Sequence, residues 1–164
     1  MGIARLEGKG QAYNAAMASI DALERRFAQN LNELVHEIDT HIKALTPVNT
    51  GQAVRNYIWS RDVPNSIVFS AIDNGDPGRT NAMALGTEPR RGINESAAAE
   101  SLGTLGINAN PFGVFYLTNN SPDIVGLEMG ILPGPPFKSR SPRGMFGVTD
   151  QTFNALVSTQ GILK

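Results

Sequence analysis

The sequence predicts an α+β fold in which a long N-terminal amphipathic helix and a C-terminal helix pack on a small antiparallel sheet, with long loops or arms. Three observations lead to this fold class. Between Gly10 and Pro47 there is neither a glycine nor a proline, and apolar residues recur every three or four positions. Short β-prone runs follow, separated by segments rich in glycine and proline. A second apolar pattern with helical spacing lies near the end of the chain.

The composition limits the class of protein. A length of 164 residues fits one domain, which we assign to residues 1–164. The content of 41% hydrophobic residues argues against disorder. No apolar run is long enough for a membrane span, so no membrane contact is predicted. There are 0 cysteines, which excludes thiol catalysis and disulfides, and the N-terminus lacks the pattern of a secretory signal. With a net charge of -1, any contact with DNA is expected to be local.

The first helix is predicted from about residue 11 to residue 45, after a flexible N-terminal arm at residues 1–10. At 1.5 Å per residue this helix is about 50 Å long, which is more than a domain of this size covers with its own core. One interpretation is that the helix lies across the sheet, and the other is that part of its stripe packs on a neighbouring copy; both can hold at different ends. The residues of the stripe are Tyr13, Met17, Ile20, Leu23, Phe27, Leu31, Leu34, Ile38, Ile42 and Leu45.

A turn and a hairpin are predicted next. Pro47 disfavours helix at the preceding residue, so the first helix ends at Leu45 or Thr46. Asn49 is predicted to cap a helical turn at residues 51–56, with Gln52 completing a capping box. The β-prone runs at 57–60 and 66–71, joined by a polar link, predict a hairpin.

The rest of the chain is predicted to alternate extended loops with regular elements. Residues 79–111 are an expected excursion from the core, with a short helix at 95–101. A strand is predicted at 114–118, and residues 124–129 are expected to form another strand or an extended segment, giving a sheet of three to five strands. An extended loop is expected at 126–143. Ser141 is then predicted to cap a helix at about 142–159, with Pro142 in its first position. The residues on one face of this helix are Met145, Thr149, Phe153, Leu156 and Val157.

Catalytic and metal-binding patterns are weak in this sequence. His36 and His41 are five positions apart, whereas a zinc-protease helix needs histidines four apart. No nucleophile elbow or phosphate-binding loop is found, so we assign no catalytic, cofactor or metal residue. Glu128 lies in an apolar stretch, where it is expected to pair with an arginine or to cap backbone donors.

A group of basic residues leaves two interpretations open. Lys138, Arg140 and Arg143 follow one another with no acidic residue between Glu128 and Asp150. They form either a solvated charged loop or a contact with an acidic partner or with DNA phosphates. Together with Arg90 and Arg91 they are the candidate interface or DNA-facing residues.

Three ordered motifs resemble one family. Thr46-Pro47-Val48-Asn49-Thr50-Gly51, followed by Arg55, is similar to the "T-P-V-D-T-G then basic" signature of the lambda-type head-to-tail joining and tail-completion (neck) proteins of tailed bacteriophages. The segment from Leu117 to Gly130, with Asn119, Asn120, Glu128 and Gly130, resembles their "I-T-N-N-x-P-Y and L-E-Y-G" segment. Pro142, Gly144 and Met145 lie in a stretch similar to their "A-P-x-G-M" segment. The chain departs from the pattern at Asn49, Asp123 and Met129.

The resemblance implies a structural virion protein that forms a ring, with a hexamer favoured, between the head–tail connector and the tail terminator or tail tube. It implies assembly in the host cytoplasm, non-specific contact with DNA passing through the lumen and no enzymatic activity. Two other functions stay open from the residues. One is a small metal-dependent hydrolase or nuclease that uses Glu128, Asp123 and the basic residues at 138–143 around a divalent metal, with Asp73 or Asp76 as a second carboxylate. The other is a DNA-binding assembly factor.

Overall fold

The computed structural model describes residues 3–47, 51–70, 102–132 and 143–160. Its elements are α1 (Ile3–Leu45), α2 (Gln52–Arg55), β1 (Tyr57–Arg61), β2 (Phe115–Asn119), α3 (Ile124–Glu128) and α4 (Phe146–Gln160). The long N-terminal helix, the C-terminal helix that packs on it and the antiparallel sheet confirm the predicted α+β fold.

The sheet pairs two strands that are distant in sequence. β1 and β2 are antiparallel, with Tyr57 opposite Asn119 and Arg61 opposite Phe115. The predicted hairpin is therefore wrong, because β1 pairs with β2 and residues 62–70 form no strand. Over the described ranges the sheet has two strands rather than the three to five expected.

A helix replaces the strand expected at residues 124–129. Ile124 and Leu127 are three residues apart, and both pack against the cluster of Ile42, Tyr57 and Met145. Only a helical turn brings residues at this spacing to one face, since a strand would place them on opposite faces. This packing explains why α3 forms despite the β-branched residues at its start.

The core consists of two neighbouring clusters. One contains Ala28, Val35, Trp59, Leu105 and Ile107, and the other contains Ile42, Tyr57 and Met145. Leu105 and Ile107 are 2% and 3% exposed, so the end of the predicted excursion at 79–111 belongs to the core. Residues 79–101 lie outside the described residues.

The first helix is longer than predicted and is packed along only part of its length. It begins at Ile3 rather than at about residue 11, so it includes most of the segment expected as a flexible arm. Its 43 residues span about 65 Å. The end that carries Ile42 is buried over the sheet, whereas every residue from 10 to 26 is exposed. The buried end therefore fits the interpretation that the helix lies across the sheet, and packing of the exposed end on a neighbouring copy stays a prediction.

The C-terminal helix begins later than the sequence suggested. α4 starts at Phe146, whereas Ser141 and Pro142, which were expected to begin it, lie outside the described residues. The predicted inner face is confirmed at Met145, Thr149 and Phe153, which are buried, and is wrong at Val157, which is 37% exposed because it lies near the free end of the helix. Within the part of the chain that the structure describes, no helix has the length and apolar character needed to cross a membrane.

Candidate functional site: the motif cluster

Residues from all three sequence motifs lie around one end of the sheet, where β1 begins and β2 ends. We call this group the motif cluster and define it as Thr46, Gly51, Asn119, Asn120, Glu128, Gly144 and Met145. Tyr57, the first residue of β1, lies at its centre: it pairs with Asn119 across the sheet and packs with Met145. The three motifs, which are dispersed in sequence, are thus assembled around one buried tyrosine.

Thr46 connects the end of α1 to that tyrosine. Its Oγ1 donates a hydrogen bond to the carbonyl oxygen of Ile42 at 2.8 Å and lies 3.0 Å from the Tyr57 hydroxyl, with which it is hydrogen-bonded. Thr46 and Tyr57 are both fully buried. Burial raises the pKa of Tyr57 well above its ordinary value; the hydrogen bond with Thr46 opposes this shift, and the charge of Glu128 adds to it.

Gly51 lies directly before α2 and has a backbone conformation that favours glycine. Its φ of +80° is in the left-handed region, where a side chain is disfavoured. Gly51 is the N-cap of α2 and has no side chain with which to cap it, whereas Asn49 lies outside the described residues, so the Asn49–Gln52 capping box stays a prediction. The predicted helical turn is confirmed, and its position next to the sheet is fixed by Asn119, whose Nδ2 donates to the carbonyl oxygen of Ala53 at 2.8 Å.

Two asparagines hold the extended segment at residues 62–70 against the sheet. Nδ2 of Asn120 donates to the carbonyl oxygens of Asn65 and Ile67, at 2.8 and 3.2 Å. The buried Asn56 binds both backbone groups of Phe69: its Nδ2 donates to the carbonyl at 2.8 Å, and its Oδ1 accepts from the N–H at 2.7 Å. These side-chain amides replace the ladder of hydrogen bonds that the predicted hairpin would have supplied.

Glu128 and Gly144 join α3 to the beginning of α4. Oε2 of Glu128 accepts hydrogen bonds from the backbone N–H groups of Met145 and Phe146, at 2.6 and 3.0 Å, and Oε1 accepts from Gly147 at 3.0 Å. The first backbone N–H groups of a helix have no partner within the helix, and the helix dipole favours a negative charge at this position. The expectation that Glu128 caps backbone donors is therefore confirmed.

Gly144 allows this close approach. Its φ is +77°, and a Cβ built at this position would lie 2.5 Å from Oε1 and 2.6 Å from the backbone oxygen of Glu128. The chain therefore needs glycine here both for its backbone conformation and for space. Gly130, with a φ of +68°, follows α3 and donates its N–H to the carbonyl oxygen of Leu127 at 3.1 Å.

The remaining candidate residues are only partly covered by the structure. Pro47 is buried beside Thr46, and Arg143 is exposed just before the Gly144 turn. The following candidates lie outside the described residues: Val48, Asn49, Thr50, Pro142, Arg90, Arg91, Lys138 and Arg140. The hypothesis of a DNA-facing basic group therefore stays a prediction.

A buried polar network on α1 was not anticipated from the sequence. Asp39 is 5% exposed and Lys43 is 3% exposed, and they form an ion pair one helical turn apart. The second carboxylate oxygen of Asp39 accepts a hydrogen bond from Nε1 of Trp59 at 3.0 Å. The spacing of four residues is a signal for such a pair, but the sequence alone does not show that the pair is buried. Its arrangement orients α1 over β1.

The positions of Glu128, His36 and His41 bear on the hydrolase or nuclease function that the sequence left open. Both carboxylate oxygens of Glu128 already accept hydrogen bonds from main-chain donors, which is the role of a helix cap. His36 is exposed, whereas Nδ1 of His41 lies 3.0 Å from Oγ1 of Thr149 on α4. Among the described residues, no three histidine, aspartate or glutamate side chains are grouped so that they could hold a metal ion.

Comparisons of the chain with protein-family models, with curated proteins and with solved structures give no significant match.

Proposed function

We propose that this chain is a structural subunit of the neck of a tailed bacteriophage, where it forms a ring that joins the DNA-filled head to the tail. The proposal rests on the three ordered motifs that resemble the neck proteins. Under this proposal the protein acts in the virion and has no enzymatic role. Its partners are copies of itself, the head–tail connector and the tail terminator or tail tube.

The observation that carries the proposal is the convergence of those motifs in space. Thr46, Asn119 and Glu128 belong to motifs or segments that are far apart in sequence, yet they contact Tyr57, the adjacent α2 and the start of α4. Chance matches to short motifs have no reason to meet in one cluster of reciprocal contacts. Motifs that specify one local architecture do meet in this way, so their joint occurrence supports descent of this architecture from the neck-protein pattern.

A second support is the amount of apolar surface that the packed subunit leaves exposed. Tyr13, Ile20 and Leu23 on α1 are 65%, 54% and 67% exposed. Val125 and Met129 on the α3 side are 65% and 67% exposed. Large exposed apolar groups on separate faces are typical of a protein that contacts more than one neighbour, and a ring subunit needs two different complementary faces.

The test is a phage that carries an early stop codon in this reading frame, with the wild-type protein supplied in trans as the control. DNA packaging and tail-tube polymerisation do not require the interface between head and tail. We therefore expect electron microscopy of the lysates to show filled heads beside separate tails, or particles with defective necks. Complementation should restore joined particles.

Three results would refute the proposal. Empty heads would assign the protein to packaging, and absence of tail tubes would assign it to tube assembly. Infectious virions of normal appearance would show that head–tail joining does not require the chain.

A further inference from the structure

The exposed half of α1 carries an apolar stripe that the subunit itself does not bury. We call Tyr13, Met17, Ile20 and Leu23 the α1 stripe; their exposed fractions are between 41% and 67%. Their spacing of three and four residues places them on one side of the helix. From residue 10 to residue 20 there is no charged residue on any side of the helix. A fully solvated helix normally carries charged residues around its circumference, so this stretch has the composition of a helix that is covered.

A second apolar surface of the same chain is concave. Between α1, the sheet and α4 lies an open groove with a volume of about 350 Å³. Its polar lining groups are Thr149, which is already hydrogen-bonded to His41, and Asp150 at the rim. The groove therefore offers shape and apolar contact rather than a set of convergent polar groups for a small ligand. Its apolar lining includes Leu34, Ile38, Phe115, Leu117, Phe146 and Phe153.

The α1 stripe cannot reach the groove of its own subunit. Residues 31–42 of α1 form one wall of the groove, and Ile20 lies 11 to 22 positions away on the same continuous helix. At 1.5 Å per residue this is a distance of about 17 to 33 Å along the helix axis. The helix has no glycine or proline between residues 11 and 45 at which it could bend back. A stripe that enters this groove must therefore come from another molecule.

We propose that the α1 stripe of one subunit packs in the groove of a second copy of this chain. A helix that presents large apolar residues at positions i, i+4, i+7 and i+10 is suited to an apolar groove. Because stripe and groove are different surfaces, the contact is head-to-tail, and each subunit has one of each. Repetition of such a contact produces a closed ring when the rotation between subunits divides the circle. This inference rests on the proposed neck function, for which it supplies the ring contact.

The size of the contact sets the conditions under which it forms. The four side chains present on the order of 450 Å² of apolar surface, taking roughly 200 Å² for a fully exposed large side chain. The residues that line the groove are largely buried in the subunit and add less than this area, so one contact stays well below the lower limit of about 1,000 Å² for a specific interface. We therefore expect association at high protein concentration, or on a ring of neighbouring proteins, and monomers in dilute solution.

The absence of cysteine from the sequence allows a direct crosslinking test on the purified full-length chain. The test variant is Ile20→Cys/Asp150→Cys, which places one thiol on the stripe and one at the rim of the groove. At a protein concentration of about 1 mM, a short bifunctional maleimide should produce dimers, trimers and larger products on a denaturing gel. The matched control is Ala18→Cys/Asp150→Cys, because residue 18 lies about 200° around the helix from residue 20. The control should give at least five-fold less crosslinked product.

Other occupants of the two surfaces predict different gels. Dimers from Ile20→Cys alone, with no larger products from the double variant, would mean that two stripes pair with each other, and would overturn the proposal. Crosslinks within a single chain, or monomers only at 1 mM, would also overturn it. A product ladder as strong in the Ala18 control would indicate non-specific contact and would equally contradict it.

The crosslinking test and the stop-codon test fail separately. A ladder from the purified chain together with normal virions from the stop-codon phage would keep the helix-in-groove contact and refute the neck function. Heads separated from tails together with no ladder would keep the neck function and refute this contact.

Discussion

Replacement of Glu128 by alanine tests the central connection of the motif cluster. The carboxylate accepts hydrogen bonds from three backbone N–H groups at the start of α4, at 2.6, 3.0 and 3.0 Å. A hydrogen bond to a charged group contributes about 1.5 to 3 kcal/mol, and loss of a helix cap costs about 0.5 to 2 kcal/mol. Because the three bonds share one half-buried carboxylate, their contributions do not add. We expect Glu128→Ala to lower the free energy of unfolding by about 2 to 3 kcal/mol.

Urea denaturation followed by tryptophan fluorescence is a suitable assay for this prediction. The sequence has a single tryptophan, Trp59, which is buried in the core and hydrogen-bonded to Asp39. Glu128→Gln retains one oxygen acceptor but turns an NH2 group toward a backbone donor, so it should cost about half as much as the alanine variant. For a chain of this length, a loss of 2 to 3 kcal/mol corresponds to a fall in Tm of roughly 4 to 12 °C.

The control for this experiment is Glu37→Ala, which removes an exposed carboxylate from α1. It should change the free energy of unfolding by less than about 0.5 kcal/mol. If Glu128→Ala matched Glu37→Ala at an unchanged dependence on urea, Glu128 would not stabilise the start of α4. The role that we assign to the "L-E-x-G" segment would then be incorrect.

Two further substitutions test the same cluster. Gly144→Ala should lower the free energy of unfolding by more than about 2 kcal/mol, because the added Cβ meets Glu128. The control is Gly106→Ala, which also has a positive φ but no atom within 4 Å of the added Cβ, and it should cost only about 1 kcal/mol. Equal losses in urea denaturation would contradict the crowding at Glu128. The folded protein raises the pKa of Tyr57, so above about pH 10 the unfolded chain loses a proton that the native state retains. The contribution of Tyr57 to the free energy of unfolding should therefore be fully present below about pH 10 and should fall by up to about 1.4 kcal/mol per pH unit above it. In a series of urea denaturations at increasing alkaline pH, Tyr57→Phe should remove this fall, whereas the control Tyr13→Phe, at an exposed site, should retain it. A decline in Tyr57→Phe equal to that of the parent would contradict the assignment of the pH dependence to Tyr57.

The sequence predicted those features that depend on local periodicity. The stripe from Tyr13 to Leu45 predicted the long helix and its apolar face. The spacing of Met145, Thr149 and Phe153 predicted the buried face of α4. Periodicity identifies one face of a helix but does not say what covers it. The division of α1 into a packed and an exposed half therefore became visible only when the position of the sheet was known.

The errors in the prediction arise from contacts between residues that are distant in sequence. Residues 66–70 have strand-forming side chains, but the amides of Asn56 and Asn120 bind the backbone of this segment, and β1 pairs with a strand more than 50 residues away. The short α3 was missed because local propensity favours a strand at Ile124 and Val125, and packing against Tyr57 overrides that preference. For Glu128, the kind of role was predictable from its apolar surroundings. Its three donors, which lie 17 to 19 residues further along the chain, were not.

The residues that carry the family resemblance and the surfaces proposed for assembly are different parts of the molecule. Thr46, Asn119, Glu128 and Gly144 contact groups of their own chain, so substitutions there act on the fraction of folded subunits. Ile20 on the α1 stripe is exposed, so a polar substitution there leaves the free energy of unfolding unchanged within about 0.5 kcal/mol. A defect in head–tail joining caused by a motif variant should therefore diminish at lower temperature, where more of the chain is folded. A defect caused by Ile20→Glu should persist at every temperature at which the parent joins heads to tails, because it removes a contact between folded subunits.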